Sequence, residues 1–237
     1  MDDATPDRAL ARFASVLADM DDQEMLTARL CEAGRVALDA HGAALTVDLL
    51  YGQRMLLFAT DELSERLEEL QNLVGEGPGP EASRTGQIVV GTVGETGFAR
   101  WPLLASLAED AHIVGTVYAV PLRPGSIVIG VLTLRRAHGD LAHGLDSVQF
   151  IADAIGSALL QDPDVTSIDG TDDSSWSSRA QFHQATGMVV AQLGVSPDDA
   201  VALLRAHAYA LNESLQHIAE MVVSRRVDFT DFTVGGD

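Results

Sequence analysis

The chain has 237 residues, 46% of them hydrophobic, and a net charge of −20 from 35 acids against 15 basic residues, all arginine. That length suits one large domain or two small ones, with enough apolar content for real cores. The acid excess opposes non-specific nucleic-acid binding, which comes mostly from neutralising phosphates, and the single cysteine, Cys31, excludes an intramolecular disulfide framework. No run of about 18 apolar residues suggests a membrane span. The first residues, MDDATPDRALARF, are acidic where a signal peptide would be basic, so the expected compartment is cytoplasmic.

In chain order, residues 1–22 hold one amphipathic helix with Ala9, Leu10, Phe13, Val16 and Leu17 at helical spacing. A second helix is expected over 23–41, ending at His41-Gly42, where glycine can adopt the left-handed conformation. Ala43–Leu50 and Met55–Thr60 then read as strands joined around Tyr51-Gly52-Gln53-Arg54. A helix over 61–73 places Leu63, Leu67, Leu70 and Leu73 inside and its acids outside. After Val74-Gly75-Glu76-Gly77-Pro78-Gly79-Pro80 come a short helix Glu81–Arg84, a strand Ile88–Val93 and a helix Trp101–Asp110. Val114–Leu122 and Ser126–Arg135 read as strands, and Leu145–Leu160 as a closing helix. Helices flanking a mostly antiparallel sheet of five or six strands over 23–161 make this part α+β.

Residues 162–177 are polar and acidic and read as a linker, with Trp176 available to pack on the next helix. Residues 178–229 predict an all-α three-helix bundle. Phe182, Ala185, Val189 and Leu193 mark the first helix, closed by Gly194; Ser196-Pro197-Asp198-Asp199 opens the second, with Ala200, Leu204, Ala208 and Leu211 inside. The third starts near Ser214 and carries Leu215, Ile218, Ala219, Val222 and Val223. Residues 230–237 are expected to be a loose tail. By charge, residues 1–175 hold 11 arginines and 28 acids, or −17, whereas 176–229 hold four and five, or −1.

Two family resemblances follow from these residues. Arg179, the run His183-Gln184-Ala185-Thr186-Gly187-Met188-Val189, then Gly194-Val195-Ser196, Leu204-Arg205, Ala208 and Leu215 to Val223 resemble an ANTAR domain. That family comprises three-helix RNA-binding modules that act as transcription antiterminators. Gly75-Glu76-Gly77-Pro78, Ala82 and Gly86, together with Val120-Pro121-Leu122 and Ile129-Gly130-Val131-Leu132, resemble a GAF domain. GAF domains are sensory modules with one pocket between an antiparallel sheet and covering helices.

For RNA contact the candidates are Arg179, His183, Gln184, Thr186, Gly187, Arg205 and Tyr209. Gly187 sits mid-helix, where it costs about 1 kcal/mol relative to alanine, which fits close approach to its backbone by RNA, another helix or a dimer partner. Where the ANTAR family often carries lysine, this chain has Thr186, leaving a hydroxyl to meet a phosphate or sugar. Arg205 and Tyr209, four residues apart, offer a cation and a stacking ring suited to unpaired bases. His207 is expected at the core edge. Arg225-Arg226 are explained by the helix dipole alone or extend an RNA face. Cys31 reads as buried filler. No histidine spacing indicates a metal, no catalytic grouping stands out, no cofactor is identified, and the ligand of the GAF-like pocket is left unknown.

The resemblances imply a signal-responsive antiterminator, no enzyme, whose ANTAR-like domain binds stem-loops in nascent leader RNA under control of the GAF-like domain, acting as a homodimer. The alternative is a sensory and dimerisation regulator that works through a protein partner without RNA. A reductase on the GAF scaffold would need more cysteines, and the acidic Glu220 argues against a DNA-reading helix-turn-helix.

Overall fold

The switch from helical to alternating apolar spacing falls where helix α2 (Leu26–Ala37) gives way to strand β1 (Gly42–Asp48). The computed structural model describes residues 6–21, 24–48, 54–95, 98–162, 174–211 and 213–232. It divides into one unit of Met1–Gln71 with Glu76–Ile168 and a second of Asn72–Gly75 with Asp169–Asp237. The first unit continues with β2 (Arg54–Ala59), α3 (Glu62–Val74, whose last three residues belong to the second unit), α4 (Pro78–Thr85), β3 (Val89–Thr92), α5 (Pro102–Asp110), β4 (Thr116–Leu122), β5 (Gly130–Arg136) and α6 (Leu145–Gln161). Helix α1 (Pro6–Ala18) precedes them.

The five strands form one antiparallel sheet in the order β2-β1-β5-β4-β3. Register fixes which residues share a face. Leu45 opposes Leu132, Leu132 opposes Val120, and Tyr118 opposes Leu134. This large apolar face packs on α2 and α6 through Leu30, Val148, Ile151 and Ile155, and α1 packs against those two helices. At about 25 cal/mol per Å² of apolar surface removed from water, such burial is the main stabilising term. Ala9 and Phe13 lie in the same core, so α1 is built into this unit.

The opposite face is small and polar. Ala44 and Ala119 flank Thr133, Thr46 faces Val131, and Gly42 faces Arg135. Arg135 Nη2 pairs with Asp61 Oδ1 at 3.0 Å. Burial alone would raise the Asp61 pKa, but hydrogen bonds from Ser64 and the Arg135 charge outweigh it and hold the carboxyl below its usual range. Helix α3 turns Ser64, Glu68 and Gln71 inward. Arg54 Nη2 reaches Glu68 Oε2 at 2.5 Å, Gln71 Nε2 donates to Glu68 Oε1 at 2.9 Å, and Gly79 N donates to Gln71 Oε1 at 2.7 Å. A Cβ on Gly79 would sit 2.1 Å from Arg54 Nη1, which explains glycine there. Glu76 Oε1 accepts from Leu103 N and Leu104 N, capping α5.

Several expectations need correcting. Helix α2 ends earlier: the left-handed residue is Asp39 (φ 57°), and Gly42 instead begins β1, where a Cβ would lie 2.0 Å from Asp61 Oδ2. Leu63 is exposed while Glu68 is buried, because Arg54 compensates its charge. Helix α4 starts at Pro78, whose fixed φ suits a first helical position. Tyr51-Gly52-Gln53 lie outside the described residues. Cys31 is fully buried, and desolvation pushes its thiol pKa well up. Among the described residues no single helix is long and apolar enough to cross a membrane, and no group of three or more His, Cys, Asp or Glu could hold a metal.

Candidate nucleic-acid interface

The second unit carries α7 (Ser174–Leu193), α8 (Pro197–Leu211) and α9 (Leu215–Val223). Each helix boundary has a local cause. Gly194 takes φ 66° after α7, and its N–H bonds Val190 O at 2.8 Å. Ser196 Oγ accepts from Asp199 N at 3.1 Å and donates to Asp199 Oδ2 at 2.7 Å, a reciprocal cap on α8. Ser214 Oγ accepts from His217 N at 3.1 Å and caps α9. The core joins Phe182, Ala185 and Val189 of α7 to Leu204 and Ala208 of α8 and Ile218 and Val222 of α9.

Order begins and ends beyond the expected bounds. The stretch expected as linker already becomes helix at Ser174, so Trp176 falls within α7; 163–173 lie outside the described residues. Leu211 is 49% exposed rather than inside. A 3-10 turn, Phe229–Phe232, occupies the start of the supposed loose tail. Phe229 is buried and meets His207 edge-on at 5.4 Å, which places His207 at the core edge.

The candidate residues separate by environment. Gln184 and Gly187 are exposed on α7, and His183 is half-buried. A Cβ on Gly187 would meet no atom within 4 Å, so no described part of this chain explains the glycine by close packing. Thr186 is the correction: it is only 3% exposed, and its hydroxyl donates to Phe182 O at 2.9 Å. One helical turn after Phe182, it faces the core and satisfies itself on its own helix, so it presents no donor at the surface. Arg179 lies within α7. On α8, Arg205 is half-buried, with Nε donating to Asn72 O at 3.2 Å. Tyr209 is 49% exposed on the side away from Ala200, Leu204 and Ala208.

Sequence reasoning gave little weight to the end of α9. Arg225 has φ 57°, and both Arg225 and Arg226 are exposed. The signal missing from the sequence was a glycine at that turn. Two hydrogen bonds from Thr230, N at 2.9 Å and Oγ1 at 2.7 Å, engage the nearby Asp228 and hold its carboxyl below the usual range. The surface is therefore a few placed groups on a nearly neutral module, not a basic field.

Comparison with known proteins agrees with the C-terminal reading: the family model "ANTAR domain" matches residues 175–223, which span almost all of α7 to α9. No curated protein matches the chain. Among solved structures, the GAF domain of Acinetobacter phosphoenolpyruvate-protein phosphotransferase is similar at 14% identity and TM-score 0.44, covering 68% of this chain and 97% of that one. A GAF domain of a putative sensor histidine kinase from Pseudomonas syringae pv. tomato is similar at 16% identity and TM-score 0.40, covering 67% and 90%.

Proposed function

From a C-terminal ANTAR domain following a GAF-like sheet unit, we propose that this protein is a signal-responsive RNA-binding antiterminator. The observation that carries the reading is the family match across residues 175–223. The exposed groups support it: Gln184 and Gly187 on α7 offer an amide and bare backbone, and Tyr209 on α8 offers a ring for an unpaired base. Arg205 adds a cation one helical turn before Tyr209, His183 extends the α7 side, and Arg179 of the same helix stays a candidate. Thr186 is withdrawn from the contact set because its hydroxyl is spent within α7. With a module charge near −1, each set of contacts is weak, so two protomers engaging paired stem-loops would supply the avidity. The GAF-like unit would govern that pairing in response to its signal.

The test is cross-linking of the full chain to RNA in cells, followed by sequencing, for wild type and Tyr209→Ala. Tyr209 is the better probe because Arg205→Ala would also remove the hydrogen bond to Asn72 O. Enrichment of leader transcripts with paired stem-loops, lost in Tyr209→Ala, supports the reading. A wild-type protein that enriches no RNA but reproducibly captures a protein partner rejects it, and the acidic chain then favours the protein-partner alternative.

A further inference from the structure

The C-terminal end of α9 closes with a hydrogen-bond pattern that normally recruits glycine. Arg226 N bonds Met221 O at 2.8 Å and Arg225 N bonds Val222 O at 3.0 Å, the paired bonds of a Schellman motif. The left-handed residue of that motif is Arg225, at φ 57°. Elsewhere the chain uses glycine at such helix ends, Gly86 after α4 and Gly194 after α7. Among the described residues its other non-glycine positions with positive φ are Asp39 and His112, types that tolerate this region comparatively well. Arginine does not share that tolerance, and glycine would remove the strain at no loss of packing, since Arg225 is exposed.

The helix dipole explains a cation near this terminus but not one placed on the strained residue, because the dipole is served equally from the last turn. The charge must therefore matter where it stands. Among the described residues, Arg225 makes no ion pair or hydrogen bond through its guanidinium, and Arg226 makes only the bond from Nε to Ser224 Oγ at 3.1 Å. The nearest carboxylate along the chain, Asp228, is engaged by Thr230 instead. By contrast Arg35, Arg54, Arg66, Arg100, Arg123, Arg135 and Arg136 all pair with acids; Arg8, Arg12 and Arg84 are also exposed without a described acid partner, but none of them has a positive φ and no two are adjacent. A chain at −20 that leaves two adjacent arginines exposed without an acid, one of them on a strained turn, is reserving them for an external anion.

We propose that Arg225 and Arg226 are a phosphate-contacting element of the RNA interface, gripping the sugar-phosphate backbone while the α7 and α8 groups meet bases. This rests on the RNA-binding reading and adds to it the source of its electrostatic affinity. Backbone contacts carry affinity and salt dependence rather than sequence preference.

The decisive variant is Arg225→Gly, because its two effects have opposite signs. It removes the charge and relieves the backbone, so the thermal midpoint of the full chain should stay level or rise. The probe is the stem-loop RNA most enriched in cells by cross-linking, titrated by fluorescence anisotropy from about 50 to 300 mM KCl. Each lost phosphate contact should lower the slope of log affinity against log salt by about 0.7–0.9 and weaken binding about fivefold near 0.15 M salt. Arg225→Gly with Arg226→Gln should double the change in slope and weaken binding about 25-fold, and all RNAs bound should weaken alike. Unchanged slope and affinity in variants at least as stable as wild type would overturn the proposal while leaving the RNA reading intact. Absence of any wild-type RNA binding would overturn both.

Discussion

Replacing Glu68 by leucine should be among the most damaging single changes in the first unit. The Arg54 and Glu68 side chains are 4% and 3% exposed, with Nη2 and Oε2 2.5 Å apart. Leucine fills the volume but leaves the Arg54 guanidinium desolvated without its carboxylate, and Gln71 Nε2 loses its acceptor at 2.9 Å. Removing one partner of a buried ion pair costs about 3–5 kcal/mol. For a unit of this size, where each kcal/mol is worth about 2–4 °C, the melting temperature should fall by roughly 6–20 °C. Circular dichroism and urea denaturation of the full chain would measure it, with m-values checked for two-state behaviour. The double variant Arg54→Met with Glu68→Leu should recover most of the loss, since a well-packed apolar pair is often as stable as a buried ionic one. A loss below about 1 kcal/mol for Glu68→Leu alone would show that the pair is wet and that the described burial is wrong.

Other variants separate structural from binding roles. Thr186→Val should leave RNA affinity unchanged and alter stability by no more than about 1.5 kcal/mol, the worth of one hydrogen bond; a loss of RNA binding would return this hydroxyl to the interface. Gly187→Ala should stabilise α7 by up to about 1 kcal/mol, because a Cβ there meets nothing, yet weaken RNA binding if the backbone is approached closely. Ser196→Ala removes the α8 cap and should cost about 0.5–2 kcal/mol in thermal or denaturant unfolding. Asp61, its pKa lowered by Ser64 and Arg135, contributes stability that is present above its unfolded pKa, near 4, and lost as pH falls below that; Asp61→Asn should flatten the acid limb of the stability curve.

The three-helix module was largely legible because its caps are local. Gly194, Ser196-Pro197 and Ser214 each stop or start a helix through groups within four residues. Thr186 was legible too, lying four residues after Phe182 and hence on the core face; the family pattern, not the helical spacing, drew it toward the surface. The inward polar face of α3 was hidden, since burial of Glu68 depends on Arg54, fourteen residues earlier on another element. The Asp39 and Arg225 turns were equally hidden, because neither residue is the glycine that usually announces a left-handed helix end.

The central claim is that a nearly neutral ANTAR domain binds RNA through a few placed groups. A fluorescence titration of the full chain with the stem-loop RNA recovered from cells, comparing wild type, Tyr209→Ala and Thr186→Val, tests it most directly. Saturable binding that weakens at least tenfold in Tyr209→Ala and holds in Thr186→Val is the predicted result. Equal affinity in wild type and Tyr209→Ala, with both proteins folded, would contradict it.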